Sequence, residues 1–233
     1  MDSPGAFSPA ERDAVYRAIY ERRDIRSQFL PARVPDEVLG RVLAAAHHAP
    51  SVGFMQPWDF IVIRDERVRE AVQQCFREAN ARAENQYAHD RKALYRSLKL
   101  EGIREAPVNI CITCDPQREK GAGLGRQTDP ATGLYSAVCA VQNLWLAARA
   151  ESLGVGWVSI LDFDQLRTLL AIPSHLTIVA YLCVGYVSAF PAEPDLETKG
   201  WERRANLARL IHFDRFGSQD EARASSLLKG LPE

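Results

Sequence analysis

Two short segments carry residue types suited to binding a phosphate and a planar ring. The first, RRDIR, runs from Arg22 to Arg26, and the second, PSVGFMQPW, runs from Pro50 to Trp58. If the first segment is extended, the side chains of Arg22, Asp24 and Arg26 project from one face, because side chains alternate along a strand. The two guanidinium groups could then converge on one anion, since planar arginine donors bind two phosphate oxygens at once.

The second segment follows a helical pattern that ends at Pro50, because the residue before a proline is pushed out of the helical conformation. Ser51 and Gln56 offer a hydroxyl and an amide for hydrogen bonds, and Trp58 offers a large apolar wall. A flavin ring and its ribityl chain need partners of this kind. The two segments together therefore predict a site for flavin mononucleotide (FMN), whereas the first segment alone could equally be a solvated helix end.

These segments resemble the Arg-Arg-x-x-Arg and Pro-Ser-x-x-Asn-x-Gln-Pro-Trp signatures of the FMN-dependent nitroreductase family. The chain departs from the signatures at Asp24, where most of the family has serine, and at Phe54, where the family has asparagine. A third segment, GVGWVSILD from Gly154 to Asp162, departs by placing Ser159 after the glycine turn. The resemblance extends over roughly residues 15 to 212.

Asp24, the string GFMQPW and Ser159 are similar to one branch of that family. Enzymes of this branch consume reduced FMN with dioxygen and cut the flavin into 5,6-dimethylbenzimidazole, the lower-ligand base of vitamin B12, and erythrose 4-phosphate. The resemblance therefore implies that reduced FMN and dioxygen are substrates and that a separate flavin reductase supplies the reduced flavin. Two alternatives stay open: an NAD(P)H-dependent FMN nitroreductase or flavin reductase, which Asp24 and Ser159 disfavour, and a flavin-binding protein without turnover.

The same resemblance assigns roles to individual side chains. Asp24 is the candidate acid or base, because a carboxylate beside arginines or under a ring can exchange protons with a substrate that it reaches. Ser159 is the second candidate catalytic residue, expected near N5 of the flavin. Gly53 and Phe54 would border the ring, where Phe54 either leaves an apolar recess for dioxygen or fills core volume. The implied FMN-binding residues are Arg22, Arg23, Asp24, Arg26, Ser51, Gln56, Gly156, Ser159, Arg203 and Arg204.

The resemblance also implies an α+β fold, with a central, mostly antiparallel sheet flanked by helices, assembled as an intertwined homodimer. A single domain over residues 1–233 is expected, because the chain is far shorter than two typical domains. Residues of about 77–105 are polar and predict a lid, and residues of about 188–233 predict an arm that embraces the partner. Hydrophobic periodicity predicts helices from Ser8 onward and over 35–48, 66–76, 133–152 (ended by Gly154) and 163–170, and strands over 59–64, 108–114, 155–160 and 177–186.

Charge and cysteine content argue against several other classes of protein. The 233 residues include 29 basic and 30 acidic side chains with a net charge of -1, so neither nucleic acid nor a membrane surface is an expected partner. Residues 1–5, MDSPG, lack the charged and apolar regions of a signal peptide, and a cytoplasmic location is therefore expected. The five cysteines predict reduced thiols and no metal site, since Cys111 and Cys114 would face opposite sides of a strand.

Overall fold

The computed structural model describes residues 5–231 of the chain. Residues 1–4, on which most of the signal-peptide expectation depends, and residues 232–233 lie outside the described part. The helices in that part are α1 (Pro9–Glu21), α2 (Asp36–His47), α3 (Glu66–Glu84), α4 (His89–Ser97), α5 (Thr132–Ala150), α6 (Phe163–Leu169), α7 (Asp195–Thr198) and α8 (Glu221–Leu227). The strands are β1 (Trp58–Ile63), β2 (Val108–Cys114), β3 (Leu153–Trp157) and β4 (Thr177–Tyr186), and 3₁₀ turns lie at Val52–Phe54 and Leu207–Leu210.

The four strands form one antiparallel sheet in the order β1-β2-β4-β3. One face packs against apolar residues of α2 and α5, and the other packs against apolar residues of α3 and α6. Every residue of β2 is buried, because both faces of this inner strand are covered. The predicted α+β fold, with an antiparallel sheet flanked by helices, is confirmed.

The long helix α5 packs on the sheet through an apolar stripe. Ala137, Val141, Leu144 and Ala148 are buried and recur at the three- and four-residue spacing of one helix face. In addition to packing the core, α5 contacts both segments of the predicted flavin site, as described below.

The two cysteines of β2 point away from each other, as predicted. Cys111 belongs to the core cluster that includes α3 residues, and Cys114 belongs to the cluster that includes α5 residues. Burial is the main cause that raises the pKa of Cys111 to about 12 and that of Cys114 to about 11. Both are therefore protonated thiols at neutral pH, which suits core packing rather than redox chemistry.

Several predicted boundaries shift in the structure. Helix α1 starts where expected, with Ser8 and Glu11 forming a reciprocal capping box. Helix α3 continues to Glu84 and so takes in the start of the predicted lid, which also contains α4. The prediction that Gly154 ends α5 is wrong, because Gly154 lies within β3, where a Cβ would be 2.4 Å from a methyl group of Val187.

The chain divides into two compact units, residues up to Ala192 and residues from Glu193 onward. The first contains the sheet and α1–α6. The second contains α7 and α8, with Ala224 buried and the Arg223 guanidinium 4.0 Å from the Phe213 ring centroid. Arg203 and Arg204, both exposed, belong to this second unit.

The RRDIR segment adds to the outer edge of β3. The Ile25 N–H donates to the Val155 carbonyl at 2.9 Å, and Asp24 forms a parallel bridge with Val155. Gly156 allows this close approach, because a Cβ there would lie 2.1 Å from the Ile25 carbonyl oxygen. Gly156 was predicted to bind FMN. In the structure, its lack of a side chain is what lets the main chain of β3 pack against the main chain of the RRDIR segment.

No helix within residues 5–231 combines the length and apolar character needed to cross a membrane. Over the same residues, no group of three or more His, Cys, Asp and Glu side chains is placed to hold a metal ion.

We predict that Gly156→Ala destabilises the fold by about 1–3 kcal/mol, because the added methyl group collides with main-chain atoms that cannot move aside cheaply. Urea unfolding measures this loss. Gly40→Ala is the matched control, since a Cβ at Gly40 meets nothing within 4 Å and alanine favours the helix. Equal stability of Gly156→Ala and the wild-type protein would contradict the proposed contact.

Candidate flavin site

The Asp24 carboxylate is held by two partners at the edge of β3. Its Oδ2 accepts a hydrogen bond from a terminal guanidinium nitrogen of Arg26 at 2.6 Å. Its Oδ1 accepts one from the main-chain N–H of Trp157 at 3.0 Å. The Asp24 side chain is one-third exposed, whereas the Arg26 side chain is only 11% exposed. The structure thus brings Asp24, Arg26 and Gly156 together and leaves the Asp24 side chain partly exposed.

The two remaining arginines of the segment make different contacts. The Arg22 guanidinium lies 5.1 Å from the ring centroid of Trp145. Arg23 donates to the carbonyls of Tyr20 and Arg22, each at 2.7 Å, and also to that of Ala192. These bonds make Arg23 an anchor for the end of α1.

Donor capacity remains in this cluster, which suits a bound anion. The Nε atoms of Arg23 and Arg26 are buried and make no hydrogen bond to any residue of the described part. A buried donor without a partner is costly, and a phosphate oxygen is a strong acceptor. The local chemistry therefore fits the phosphate of FMN.

The Pro50–Trp58 loop is tightly folded and strained. Phe54 and Gln56 have φ of 54° and 50°, in the left-handed region that side chains disfavour, and Gly53 has φ of 53°. A non-glycine residue in this region costs about 1–3 kcal/mol, persists only where the surroundings hold it, and is commonest at functional sites, whereas glycine adopts it freely. Here Ser51 Oγ accepts from the Gln56 N–H at 3.1 Å, and Ser136 Oγ on α5 accepts from the Val52 N–H at 3.0 Å.

Two aromatic side chains of this loop differ in burial. Phe54 is 69% exposed, so the alternative that it fills core volume is wrong. Trp58 is 3% exposed and starts β1, and its indole N–H donates to His47 Nδ1 at 3.1 Å. Trp58 therefore belongs to the core and not to an accessible ring wall.

A glycine-rich loop over residues 115–131 covers the Pro50–Trp58 loop, a contact that the sequence did not predict. Arg118 donates to the carbonyls of Gln56 at 2.8 Å and Trp58 at 3.1 Å. Lys120 contacts the Gln56 side-chain oxygen and lies 4.7 Å from the Phe54 ring centroid. The sequence did contain one signal for a functional loop here, the basic residues placed around its glycines. These are Arg118, Lys120 and Arg126 around Gly121, Gly123 and Gly125.

Close backbone contact requires two of these glycines. A Cβ at Gly121 would lie 2.1 Å from the Gly53 carbonyl oxygen, and a Cβ at Gly53 would lie 2.8 Å from the Leu124 carbonyl oxygen. The two loops thus pack main chain against main chain, which fixes the strained loop in place.

Ser159 is exposed and follows the end of β3. It lines a groove of about 460 Å³ between the C-terminal part of α3 and the segment 159–164. Across this groove, Arg82 of α3 forms an ion pair with Asp162 at 3.1 Å, and Asp162 also caps α6. The groove therefore joins Ser159 to the base of the predicted lid.

Within one chain, the RRDIR segment and the Pro50–Trp58 loop lie far apart. β1 and β3 are at opposite edges of the sheet. They are also displaced along the strand direction: Trp58 of β1 is level with Thr177 of β4, whereas Val155 of β3 pairs with Val184. Three strand spacings of about 4.8 Å and seven residues of about 3.3 Å, taken at right angles, separate Trp58 from Val155 by roughly 27 Å.

Comparison with known proteins supports the family resemblance. The sequence pattern of the Nitroreductase family matches residues 19–186. A 5,6-dimethylbenzimidazole synthase of Rhodospirillum rubrum is 42% identical over 198 residues, which cover 85% of this chain and 93% of that protein. A protein of the same name from Rhodobacter capsulatus is 37% identical, over 84% of this chain and 94% of its own length.

Solved structures share the fold. Iodotyrosine deiodinase bound to FMN and 3-iodo-L-tyrosine superposes with a TM-score of 0.69 at 21% identity, covering 87% of this chain and 100% of that one. A BluB-like flavoprotein of Clostridium difficile gives a TM-score of 0.66 at 18% identity, covering 86% and 99%. From the family pattern, the sequence identities and the shared fold, we conclude that the chain belongs to the nitroreductase family.

Proposed function

We propose that this protein fragments reduced FMN with dioxygen into 5,6-dimethylbenzimidazole, erythrose 4-phosphate and a remnant that carries the pyrimidine ring of the flavin. The observation that carries the proposal is the Asp24 carboxylate, held by Arg26 and the Trp157 N–H where most of the family has a serine. The two relatives of Rhodospirillum and Rhodobacter, both named 5,6-dimethylbenzimidazole synthase, support the formation of the benzimidazole. In this proposal reduced FMN is a substrate delivered by a separate flavin reductase.

The chain supplies groups for binding the flavin both at its phosphate and at its ring. Arg22 and Arg26 are proposed to hold the phosphate, with Arg23 fixing the backbone between them. Ser51 and Gln56 are proposed to meet the ring or the ribityl chain, next to Gly53 and Phe54. By the family resemblance, Arg204, or alternatively Arg203, is proposed as a further phosphate contact.

Asp24 and Ser159 are proposed to control protons at the reacting atoms. Reduced FMN, when bound, supplies the electrons that dioxygen accepts. Asp24 accepts or donates a proton at the ribityl carbons, because its side chain is one-third exposed while two hydrogen bonds orient its carboxylate. Ser159 provides one hydrogen bond near N5, and the segment of about 77–105 closes over the site and excludes water.

A homodimer would bring the two separated segments to one flavin. A separation of roughly 27 Å within one chain is too large for one ligand to touch both segments closely. Apolar side chains also stay exposed on α1 and α5, where a second copy could cover them. They are Val15, Tyr16, Ile19, Tyr20, Leu134, Tyr135 and Val138. We therefore propose that each site joins the RRDIR segment of one chain to the Pro50–Trp58 loop of its partner.

A mixed dimer tests the shared site. In a heterodimer of Arg26→Ala and Gly53→Val chains, purified with two different tags, one site receives both defects and the other receives none. The twofold arrangement then restores about half of the wild-type product per dimer, although each variant homodimer is inactive. If each site were built from one chain, the heterodimer would make no product, and a monomer in analytical ultracentrifugation would also contradict the proposal.

Asp24→Asn tests the catalytic assignment. The amide keeps the size of the side chain but cannot carry the proton, so benzimidazole formed per bound flavin should fall by a factor of about 100 to 10,000. The variant should instead oxidise reduced FMN slowly to intact FMN and hydrogen peroxide. Asp13→Asn, on an exposed position of α1, is the control.

The alternative role for Asp24 is to orient the arginines. In that case Asp24→Asn would bind less flavin but would still fragment what it binds. Unchanged product per bound flavin would remove the catalytic role of Asp24 but leave the fragmentation reaction in place. An NAD(P)H-dependent nitroreductase or flavin reductase, by contrast, would form no benzimidazole even in the wild-type protein.

A further inference from the structure

Trp145 of α5 contacts the arginine pair in two ways. Its ring centroid lies 5.1 Å from the Arg22 guanidinium carbon, within the range of a cation–π contact. Its indole N–H donates to the Arg23 carbonyl oxygen at 3.3 Å. One side chain therefore touches both the charged group of Arg22 and the main chain that carries it.

The surroundings hold this indole in place. Trp145 is 8% exposed and packs in the core cluster between α5 and the sheet. Its ring centroid lies 6.5 Å from that of Trp157, whose N–H donates to Asp24. Trp145 is thus a rigid surface against which a flexible arginine can be oriented.

We propose that Trp145 is a positioning residue for the phosphate of the flavin, acting through Arg22. This inference rests on the proposed function, in which Arg22 binds that phosphate. An arginine loses considerable rotamer entropy when it is fixed on a ligand, and fixing it beforehand strengthens binding. Trp145 orients the guanidinium by its ring face and fixes the backbone by its indole N–H.

A phosphate-specific readout separates positioning from core packing. Damage to the core weakens binding of FMN and of riboflavin, which lacks the phosphate, to the same extent. Loss of Arg22 positioning weakens the binding of FMN but not that of riboflavin. The measured quantity is therefore the ratio of the dissociation constants for reduced riboflavin and reduced FMN, obtained by ultrafiltration without oxygen.

Trp145→Leu should lower this ratio about 3- to 30-fold, because it removes both the aromatic face and the indole N–H. Trp145→Phe keeps an aromatic face and should lower the ratio less. In the Arg22→Ala background, Trp145→Leu should cause no further fall in the ratio, since the group that it positions is absent.

An unchanged ratio in Trp145→Leu, or an equal fall with and without Arg22, overturns the positioning role while the phosphate site stands. A wild-type protein that binds FMN no better than riboflavin overturns the phosphate site itself, and the positioning role with it. The two failures are therefore distinguishable.

Discussion

The fastening of the RRDIR segment to β3 is the contact on which the rest of the proposed site depends. The Asp24 carboxylate joins the Arg26 guanidinium to the Trp157 main chain, and the Ile25 N–H adds a backbone bond to Val155. Charge-assisted hydrogen bonds of this kind are short and directional. They fix the position of the proposed acid or base and of one phosphate-binding arginine at once.

This arrangement explains why an aspartate differs from a serine at position 24. A serine hydroxyl could not accept from both Arg26 and the Trp157 N–H through two separate oxygens. The carboxylate also places a negative charge beside the arginines, which weakens their net attraction for a phosphate. That cost is consistent with a ligand that must be released after it has reacted, and less so with a permanently bound cofactor.

Helix α5 links the two segments of the site to one rigid element. Ser136 holds the Pro50–Trp58 loop and Trp145 holds the arginine segment, nine residues away. At 1.5 Å per residue, their Cα atoms are about 14 Å apart along the helix axis. Both segments are therefore placed by the same buried helix, although they lie at opposite edges of the sheet.

The sequence predicted the local elements well because their signals are local. The capping box at Ser8 and the apolar stripe of α5 each depend on residues within a few turns. The alternation of side chains along an extended segment likewise predicted that Asp24 and Arg26 lie on one face, and their side chains are hydrogen-bonded in the structure. The family resemblance added the α+β fold, which periodicity alone does not fix.

Contacts between distant residues were not predictable in this way. The packing of Gly121 against Gly53 and the hydrogen bonds of Arg118 to the Pro50–Trp58 loop join residues at least sixty positions apart. Trp58 was expected to line the flavin ring. In the structure its indole N–H donates to His47, and its side chain packs in the core. A glycine that a strand needs for close side-chain packing gives the same sequence signal as a helix cap, which explains the wrong prediction that Gly154 ends α5.

The most direct test of the account counts flavin after reaction. The wild-type protein is incubated in air with a large excess of reduced FMN, and total flavin, 5,6-dimethylbenzimidazole and hydrogen peroxide are measured by mass spectrometry and a peroxide assay. We expect flavin to disappear over many turnovers, with one benzimidazole formed for each flavin lost. Recovery of all the flavin as intact FMN, with matching hydrogen peroxide, would contradict the account.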